Sequence, residues 1–508
     1  MLLGRTRLVN RCLLAVALLG PAGLSAAGCA ARARPGASAA AAGEGDETRV
    51  PAAPFFAGAA SVSITPEVRP DGPPIWLAGF GQGRAATGVH DDLSARALVL
   101  GAGTRSVAIV ALDLIGLFHD DVVRIREEIR GRHPGVEVGY VMVCSTHTHA
   151  GPDVIGLWTP QGRAVDSAYV ARVRSAAADA VAGAWGGRQP ARLSFATARR
   201  PDLIRDSRLP EVIDSTAGLL KVESDDGSRT IATLVDFADH PESLGRENTL
   251  ISSDYPDAAR RGLEQAFGGV AIFVSGALGG LLTPLGVTLP DPDTGRPVPE
   301  KTFRMAGALG RELARSVIVA WQGQDDTPGA GAARAAARGT IEVKARELRM
   351  PLENPRFQRG LVEGRIWPRA LGDDGTLASE AAVLTLRGTA PGADGGIGAP
   401  LAQIACVPGE LYPELVTGGI QSPQDPGADF PGAPPEPALG SMMTGRYRFV
   451  VCLCGDELGY IIPKSQWDEN PPFAYGRDAP QYGEMNSAGP QTAPILLEVF
   501  RDLFSANE

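Results

Sequence analysis

The sequence predicts a mixed, multilayer α/β fold whose functional site lies at the ends of strands. Unbroken apolar runs, such as residues 106–117 and 270–275, are typical of strands that are covered on both faces. Segments with apolar residues at helical spacing alternate with these runs from residue 55 onward. Histidine, glutamate and tyrosine residues follow several of the runs, at the position where ligands bind in α/β sheets.

The elements follow one another in a regular order. The strands "ALVL" and "SVAIVALDLIGL" come first, and "DDVVRIREEIRGRHPG" is a helix because its apolar residues have helical spacing. The strand "VEVGYVMVC", a helix over residues 164–185 and the strands "ARLSFATA", "GLLKV" and "IATLVDFA" come next. "SSDYPDAARRGLEQAFGG" has capping residues at its start and glycines after its end, which predicts a further helix. The next predicted elements are the strand "VAIFVSG", a helix near 302–321 and a loop near 323–335. They are followed by the strands "GTIEVKARELRM" and "APLAQIACVPGE" and by a helix at "TAPILLEVFRDLF".

Composition excludes some classes of protein. The chain has 508 residues, 44% of them hydrophobic and 21% charged, which indicates a globular protein. A formal net charge of −10 argues against nucleic-acid binding, because no basic surplus exists to neutralise phosphates. Beyond the N-terminus, no apolar run is long enough to span a bilayer. The cysteines beyond residue 29 have no disulfide or zinc-ribbon spacing and are predicted core residues: Cys144, Cys406, Cys452 and Cys454.

The N-terminus predicts export to the cell envelope. Residues 1–28 combine a basic start, a short apolar core and small residues, as in a signal peptide. The segment "SAAGC" resembles a bacterial lipobox, although Ala26 stands where leucine is usual, and it predicts lipidation of Cys29. A plain secretory signal cut nearby is the alternative. Residues 29–52 have low complexity and are predicted to be a tether that holds the following domain near a membrane surface.

Four strand ends carry residues that can bind a metal ion. His147 and His149 follow one strand, His240 follows another, and Glu410 and Tyr460 follow two more. Histidine and carboxylate are ordinary zinc ligands. Alternate residues of a strand project to one face, so the two histidines of "THTH" are predicted to converge. Taken alone, this pair is equally consistent with two hydrogen-bonded histidines that cap a strand.

The order of these motifs resembles one family, the neutral/alkaline ceramidases, which are zinc-dependent amide hydrolases. The segments that carry the resemblance are "SVSITP", "LAGFGQG", "GVHDDLSARALVL", "VALDLIGL", "STHTHAGPD", "HPESLG", "VPGE", "GYIIP" and "QYGE". They extend over residues 55–505, so residues 53–508 are predicted to form one ceramidase-like hydrolase domain.

The resemblance implies a role for each motif residue. It implies one zinc ion per chain, bound by His147, His240, Glu410 and Tyr460. His149 would transfer protons at the substrate, and Tyr482 of "QYGE" would polarise the amide carbonyl. Arg205 falls where the family has a substrate-contacting arginine, with Arg208 as the alternative.

Two departures from the family concern the substrate. The family has a serine in a Gly-Asp-x-Ser-Pro stretch, whereas this chain has "SGALGGLLTP", in which Thr283 stands at the serine position or Ser275 takes its task. The C-terminal immunoglobulin-like domain of the full ceramidases is not expected in this sequence.

The implied reaction is cleavage of the N-acyl bond of ceramide or a related lipid amide by zinc-activated water, giving a fatty acid and a sphingoid base. The alternatives are a zinc hydrolase acting on another amide or ester, and an envelope lipoprotein that binds a ligand without turnover.

Overall fold

Long β-strands build most of the frame, as the apolar runs predict. The computed structural model describes residues 51–291, 294–324, 331–332, 336–389, 396–422 and 424–505. The strands in chain order are β1 (Ala53–Ser63), β2 (Gly88–Val89), β3 (Ser94–Ala102), β4 (Arg105–Leu112), β5 (Tyr140–Ser145), β6 (Gln189–Arg199), β7 (Arg205–Asp206), β8 (Thr216–Ser224), β9 (Thr230–Phe237), β10 (Leu250–Ile251), β11 (Val270–Ser275), β12 (Leu282–Thr283), β13 (Gly331–Ala332), β14 (Arg338–Pro351), β15 (Thr376–Thr389), β16 (Ile397–Cys406), β17 (Glu410–Leu411), β18 (Tyr447–Val451) and β19 (Tyr460–Ile461).

The α-helices occupy the segments with helical apolar spacing. They are α1 (His119–Arg132), α2 (Ser167–Gly186), α3 (Tyr255–Phe267), α4 (Phe303–Trp321), α5 (Pro355–Val362), α6 (Glu414–Thr417), α7 (Leu439–Met442) and α8 (Thr492–Ser505). Short 3₁₀ turns lie at Pro201–Leu203, Lys464–Gln466, Ala474–Gly476 and Glu484–Asn486. At the N-termini of three long helices, a side-chain oxygen accepts hydrogen bonds from backbone N–H groups of the first turn. These capping residues are Asp166 before α2, Asp254 before α3 and Thr302 before α4.

One large mixed sheet folds over on itself to make the central layers. Its main path runs β11-β9-β8-β6-β1-β14-β15-β16-β18, and β3, β4 and β5 extend from β1. The first part of β1 pairs with β14 while the rest pairs with β3, so this strand links the two halves. A buried apolar core containing Phe195, Leu384 and Phe449 lies between the halves. Helices α1–α4 pack on the outer face of one half and α8 on the other, which confirms the predicted mixed multilayer α/β fold.

Hydrogen bonds join the strand ends of the two halves. Ser145, at the end of β5, donates its N–H to the carbonyl of Leu453 at 3.1 Å. Cys452, just after β18, donates to the carbonyl of Ser275 at the end of β11, at 2.8 Å. The carboxyl ends of strands from both halves therefore meet at one place, and the loops that follow them build the site described below.

One strand is shorter than its apolar pattern predicts. The run "VEVGYVMVC" begins at residue 136, but β5 begins at Tyr140. Its partner β4 pairs with it only from Val107, opposite Tyr140, so the valines before it have no neighbouring strand. The four predicted core cysteines are buried and free, as expected.

The predicted signal peptide (1–28) and nearly all of the predicted tether (29–52) lie outside the described residues, as does most of the predicted loop near 323–335. Within the described residues, no helix has the length and hydropathy needed to cross a bilayer.

Candidate active site

His147, His240 and Glu410 form the centre of the site. Glu410 Oε2 lies 3.1 Å from Nε2 of His240 and 3.5 Å from Nε2 of His147. The ring centroids of the two histidines are 5.0 Å apart, and all three side chains are buried. His149 joins the same cluster, since its ring nitrogens come within 4.8 Å of those of the other two histidines. The described residues thus contain a His/Glu cluster that can hold a metal ion.

The hydrogen bonds of the two histidines turn both Nε2 atoms toward Glu410, an arrangement that suits a bound cation. Nδ1 of His147 is 2.5 Å from the carbonyl oxygen of Ile115, and Nδ1 of His240 is 2.6 Å from that of Leu282. A carbonyl only accepts, so each Nδ1 carries a proton, and in the neutral imidazole each Nε2 is then an acceptor. Nε2 of the neutral His147 thus faces a carboxylate oxygen, which is also an acceptor, whereas Nε2 of His240 donates to that oxygen when the ring is protonated. A metal ion would be bound by all three, and the backbone carbonyls fix the ring orientation as they do in metal sites.

The pKa values of the cluster reflect burial and close charges. Burial lowers the pKa of His147 to about 4. Burial also opposes protonation of His240, but the hydrogen bond and the charges of Glu410 and Glu242 outweigh it and raise the pKa. Burial raises the pKa of Glu410, yet His147, His240 and a hydrogen bond from Tyr460 bring it below its usual value. The carboxylate is therefore charged and ready to bind a cation.

A loop, rather than a strand, brings the two neighbouring histidines together. The prediction that they converge as alternate residues of one strand is wrong in its cause, because β5 ends at Ser145. His147 has a φ of 66°, a left-handed conformation that costs a non-glycine residue energy and is found at functional sites. Its N–H donates to the carbonyl of Leu114, and the N–H of His149 donates to that of Pro241. The rings of His147 and His149 consequently lie 5.0 Å apart.

Pairing of two short parallel strands aligns Glu410 with Tyr460. They are direct partners in the two-stranded sheet of β17 and β19. Burial and the charge of Glu410 raise the pKa of Tyr460 well above its usual value. The phenol beside Glu410 is therefore protonated, and a metal ligand at this position would have to lose that proton.

His149 is partly exposed, but both of its ring nitrogens are buried and unpaired. Neither Nδ1 nor Nε2 makes a hydrogen bond in the described structure, although Nδ1 lies 3.3 Å from Glu242 Oε2 outside hydrogen-bond geometry. Burial and the neighbouring histidines lower the pKa of His149 well below its usual value, so the ring is neutral at neutral pH. Gly79, in "LAGFGQG", has a φ of 108° and passes so close that a Cβ there would lie 2.6 Å from the Cβ of His149. Only glycine fits this approach.

A largely apolar cavity opens onto the cluster. Its walls include Ile115, Phe118, Ile155, Leu361, Ile366 and Leu377. The polar residues at its cluster end are His147, His149, Glu410, Glu457, Tyr460 and Tyr482. Three predicted ligands, His147, Glu410 and Tyr460, therefore line this cavity together with the two predicted substrate-facing residues, His149 and Tyr482. The fourth predicted ligand, His240, lies behind the cavity wall and contacts Glu410.

Tyr482 lies where the cavity meets solvent, since its side chain is 49% exposed. Its hydroxyl accepts a hydrogen bond from Asn486 Nδ2 at 2.6 Å. Burial, followed by the charges of Glu410 and Glu242, raises the pKa of Tyr482 to about 12. The hydroxyl thus keeps its proton at neutral pH and can donate it in a hydrogen bond to a carbonyl.

The two candidate arginines occupy different environments. Arg208 is buried in an ion pair with Glu484 at 2.6 Å, and its Nη1 donates to the backbone carbonyl of Tyr482 at 2.7 Å. It therefore holds the Tyr482 segment in place. Arg205 is exposed on β7, where it pairs with Thr283 of β12. Arg205 is exposed but is not among the residues that line the cavity described above, and its contact with substrate stays a prediction.

Thr283 is connected to the cluster through Glu242, a residue for which no role is predicted from the sequence. The Thr283 hydroxyl donates to Glu242 Oε1 at 2.5 Å, and Glu242 Oε2 faces His149. Ser275 donates its hydroxyl to the carbonyl of Thr146 at 2.8 Å and is fully buried, away from the cavity walls. Of the two candidates, Thr283 is the one linked to the cluster by a hydrogen bond through Glu242, and its role in place of the family's serine stays a prediction. Glu242 follows His240 in "HPESLG", and this spacing was the signal that could have found it.

Thr283→Val is expected to slow turnover without removing the metal. Valine has the shape of threonine but cannot donate to Glu242, and one such hydrogen bond contributes about 1–3 kcal/mol, or roughly 5- to 150-fold in rate. Thr283→Ser, which keeps the hydroxyl, should be close to the wild type. Steady-state kinetics and metal content of the three proteins test this. A folded, metal-loaded Thr283→Val enzyme with no activity would indicate a side-chain nucleophile instead.

Fold and site together describe an α/β protein with a candidate metal centre at the base of an apolar cavity. Comparison with solved structures shows which fold this is. The structure is similar to neutral ceramidase from Pseudomonas aeruginosa, with a TM-score of 0.63 and 17% sequence identity over 89% of this chain and 74% of that one. A structure described as ceramidase complexed with C2 is similar at a TM-score of 0.60 and 16% identity, over 89% of this chain and 75% of that one. No protein-family model and no curated protein matches the sequence. The neutral ceramidase-like fold predicted from the motifs is confirmed.

Proposed function

We propose that this protein is a zinc-dependent amidohydrolase that cleaves the N-acyl bond of a ceramide-like lipid amide. The observation that carries the proposal is the apolar cavity, which ends at His147, His149 and Glu410. A long alkyl chain would fill such a cavity, and each buried CH₂ group contributes about 0.8 kcal/mol to binding. The similar solved structures are those of ceramidases, which supports the same class of substrate.

The residues of this chain supply distinct parts of the chemistry. His147, His240, Glu410 and Tyr460 would hold the zinc ion. A bound zinc ion polarises a carbonyl group and lowers the pKa of water from about 16 to about 7. Tyr482, protonated at neutral pH, donates a hydrogen bond to the amide carbonyl and stabilises the negative charge that develops on its oxygen. His149, neutral and without a hydrogen-bond partner, would accept a proton from the attacking water and transfer it to the nitrogen of the leaving amine.

The cavity favours a lipid amide over a small polar substrate. A short-chain N-acyl amino acid or a sugar amide would leave the walls formed by Phe118, Leu361 and Leu377 in contact with water or with unpaired polar groups.

A substrate screen tests the proposal. The purified protein would be assayed with a long-chain ceramide, a short-chain N-acyl amino acid and a carboxylic ester, each before and after treatment with a chelator and after zinc is restored. We expect hydrolysis of the ceramide, its loss with the chelator and its recovery with zinc. Hydrolysis of the N-acyl amino acid or the ester in preference to ceramide would replace the proposed substrate, and no hydrolysis at all would refute the proposed activity.

We further propose that the protein is exported and anchored at a membrane surface by a lipid on Cys29, with residues 29–52 as the tether. This would place the cavity close to lipid substrates. Cys29→Ser is expected to move the protein from the membrane fraction to the soluble fraction while its zinc content and specific activity stay the same. Cell fractionation followed by immunoblotting measures this. A wild-type protein that is wholly soluble would refute the anchor.

A further inference from the structure

Glu457 is a carboxyl group inside the apolar cavity that the reaction described above does not use. It belongs to "GDELGY" and lines the cavity together with Leu458 and the cluster residues. A carboxyl group among apolar side chains loses its hydration and is costly unless it has hydrogen-bond partners. Its presence at this place therefore needs a reason.

Only one of its oxygens has a partner. Glu457 Oε1 accepts the backbone N–H of Gly459 at 2.8 Å. Glu457 Oε2 is buried and has no hydrogen-bond partner among the described residues. The nearby Arg369 does not supply one, because it forms an ion pair with Asp456 at 2.7 Å and donates weakly to the backbone carbonyl of Glu457 at 3.4 Å.

The side chain is also held in a fixed position close to the scissile bond. A Cβ at Gly116 would lie 2.9 Å from both Cγ and Oε2 of Glu457, so the glycine lets the carboxyl pack tightly against the backbone. A carboxylate oxygen of Glu457 comes within 4.8 Å of the ligand atoms of His147 and Glu410. A substrate group that meets it is therefore only a few bonds from the amide that reacts at the cluster.

We propose that Glu457 is a specificity-determining residue of this chain, whose free oxygen binds a hydroxyl group located a few bonds from the scissile amide. A hydroxyl group both donates and accepts, so it pairs with the free oxygen whether the carboxyl is charged or protonated. Lipid amides without the hydroxyl would bury Glu457 Oε2 unpaired, and a site with such a group rejects the analogue that lacks the partner. This inference rests on the proposed amide hydrolysis and assigns one residue to the selection of its substrate.

The test compares three synthetic amides that have the same acyl chain and the same alkylamine. The first has no hydroxyl, the second has one near the nitrogen on the amine side, and the third has one near the carbonyl on the acyl side. For the wild type we expect one hydroxylated amide to exceed the unsubstituted one in kcat/KM by about 10- to 150-fold, the range for a hydrogen bond to a buried carboxyl group. Glu457→Leu should bring this ratio close to one, and Glu457→Gln, which keeps hydrogen-bonding atoms, should retain most of it.

Leu361→Ala is the matched control, because it enlarges the same cavity without changing a polar group and should affect all three amides alike. Equal kcat/KM values for the three amides in the wild type, or an unchanged ratio in Glu457→Leu, would refute the role of Glu457. Loss of zinc from Glu457→Gln would refute it as well and would make Glu457 a metal ligand. If no amide is hydrolysed, the proposed function fails separately, and dissociation constants of the three amides, measured by calorimetry on the same proteins, decide the question for Glu457.

Discussion

His240→Ala is expected to remove the metal ion and, with it, the activity. His240 is buried, and its Nε2 lies 3.1 Å from Glu410 Oε2, so His240→Ala removes one of the two ring nitrogens that face this carboxylate. Changing a residue that merely orients a metal ligand lowers metal affinity by about 10- to 100-fold, so loss of a ligand should cost at least as much. Zinc content should fall from one ion per chain to a small fraction, and kcat/KM should fall with it. Elemental analysis and kinetics on the same preparation measure both.

His133→Ala is the control for this substitution. His133 follows α1 and pairs with Asp179, away from the cluster, so its replacement should leave zinc and activity unchanged. Thermal unfolding of each variant shows whether it is folded. A folded His240→Ala protein that retains both its zinc and its activity would contradict the proposed ligand set.

His149→Ala is expected to separate metal binding from catalysis. The three histidines lie close enough together for all of them to bind one ion, but His147 and His240 face Glu410, while Nδ1 of His149 faces Glu242. Removal of His149 should therefore leave the zinc in place. Turnover should fall by roughly 100- to 10,000-fold, the usual contribution of a positioned acid–base group. Zinc content and kcat measured together test the assignment.

The opposite result has a clear meaning. If His149→Ala loses its zinc as His147→Ala does, then His149 is a third histidine ligand and the proton-transfer role belongs to another residue. If it keeps both zinc and full turnover, the role of His149 in proton transfer is wrong.

The sequence predicted which residues lie together better than it predicted their geometry. His147, His240 and Glu410 each come a few residues after an apolar strand, and the structure brings them together. Tyr460 stands well beyond β18 and joins them through the pairing of β17 with β19. The order of the motifs resembles that of a known family, and the roles that it implies stay predictions. The left-handed backbone at His147 could not be read from the sequence, because nothing in "THTH" marks the end of the strand.

Residues whose role depends on long-range packing were not predicted. Glu242 acquires its role from Thr283, which is distant in the chain, and the hydrogen bond between them exists only once β12 is in place. Glu457 precedes Tyr460 in "GDELGY", and the sequence does not show that one of its oxygens is buried without a partner. That environment exists only once the cavity walls have assembled around it. The cavity itself combines residues of α5 with loops after β4 and β5, which no local pattern reveals.

The most direct test of the central claim is a crystal structure of the purified protein with anomalous diffraction recorded on both sides of the zinc absorption edge. We expect one strong zinc peak between Nε2 of His147, Nε2 of His240 and the carboxylate of Glu410. Tyr460 should lie next to this peak, and the apolar cavity should open onto it. An anomalous map with no peak at this position, from protein that hydrolyses lipid amides, would contradict it.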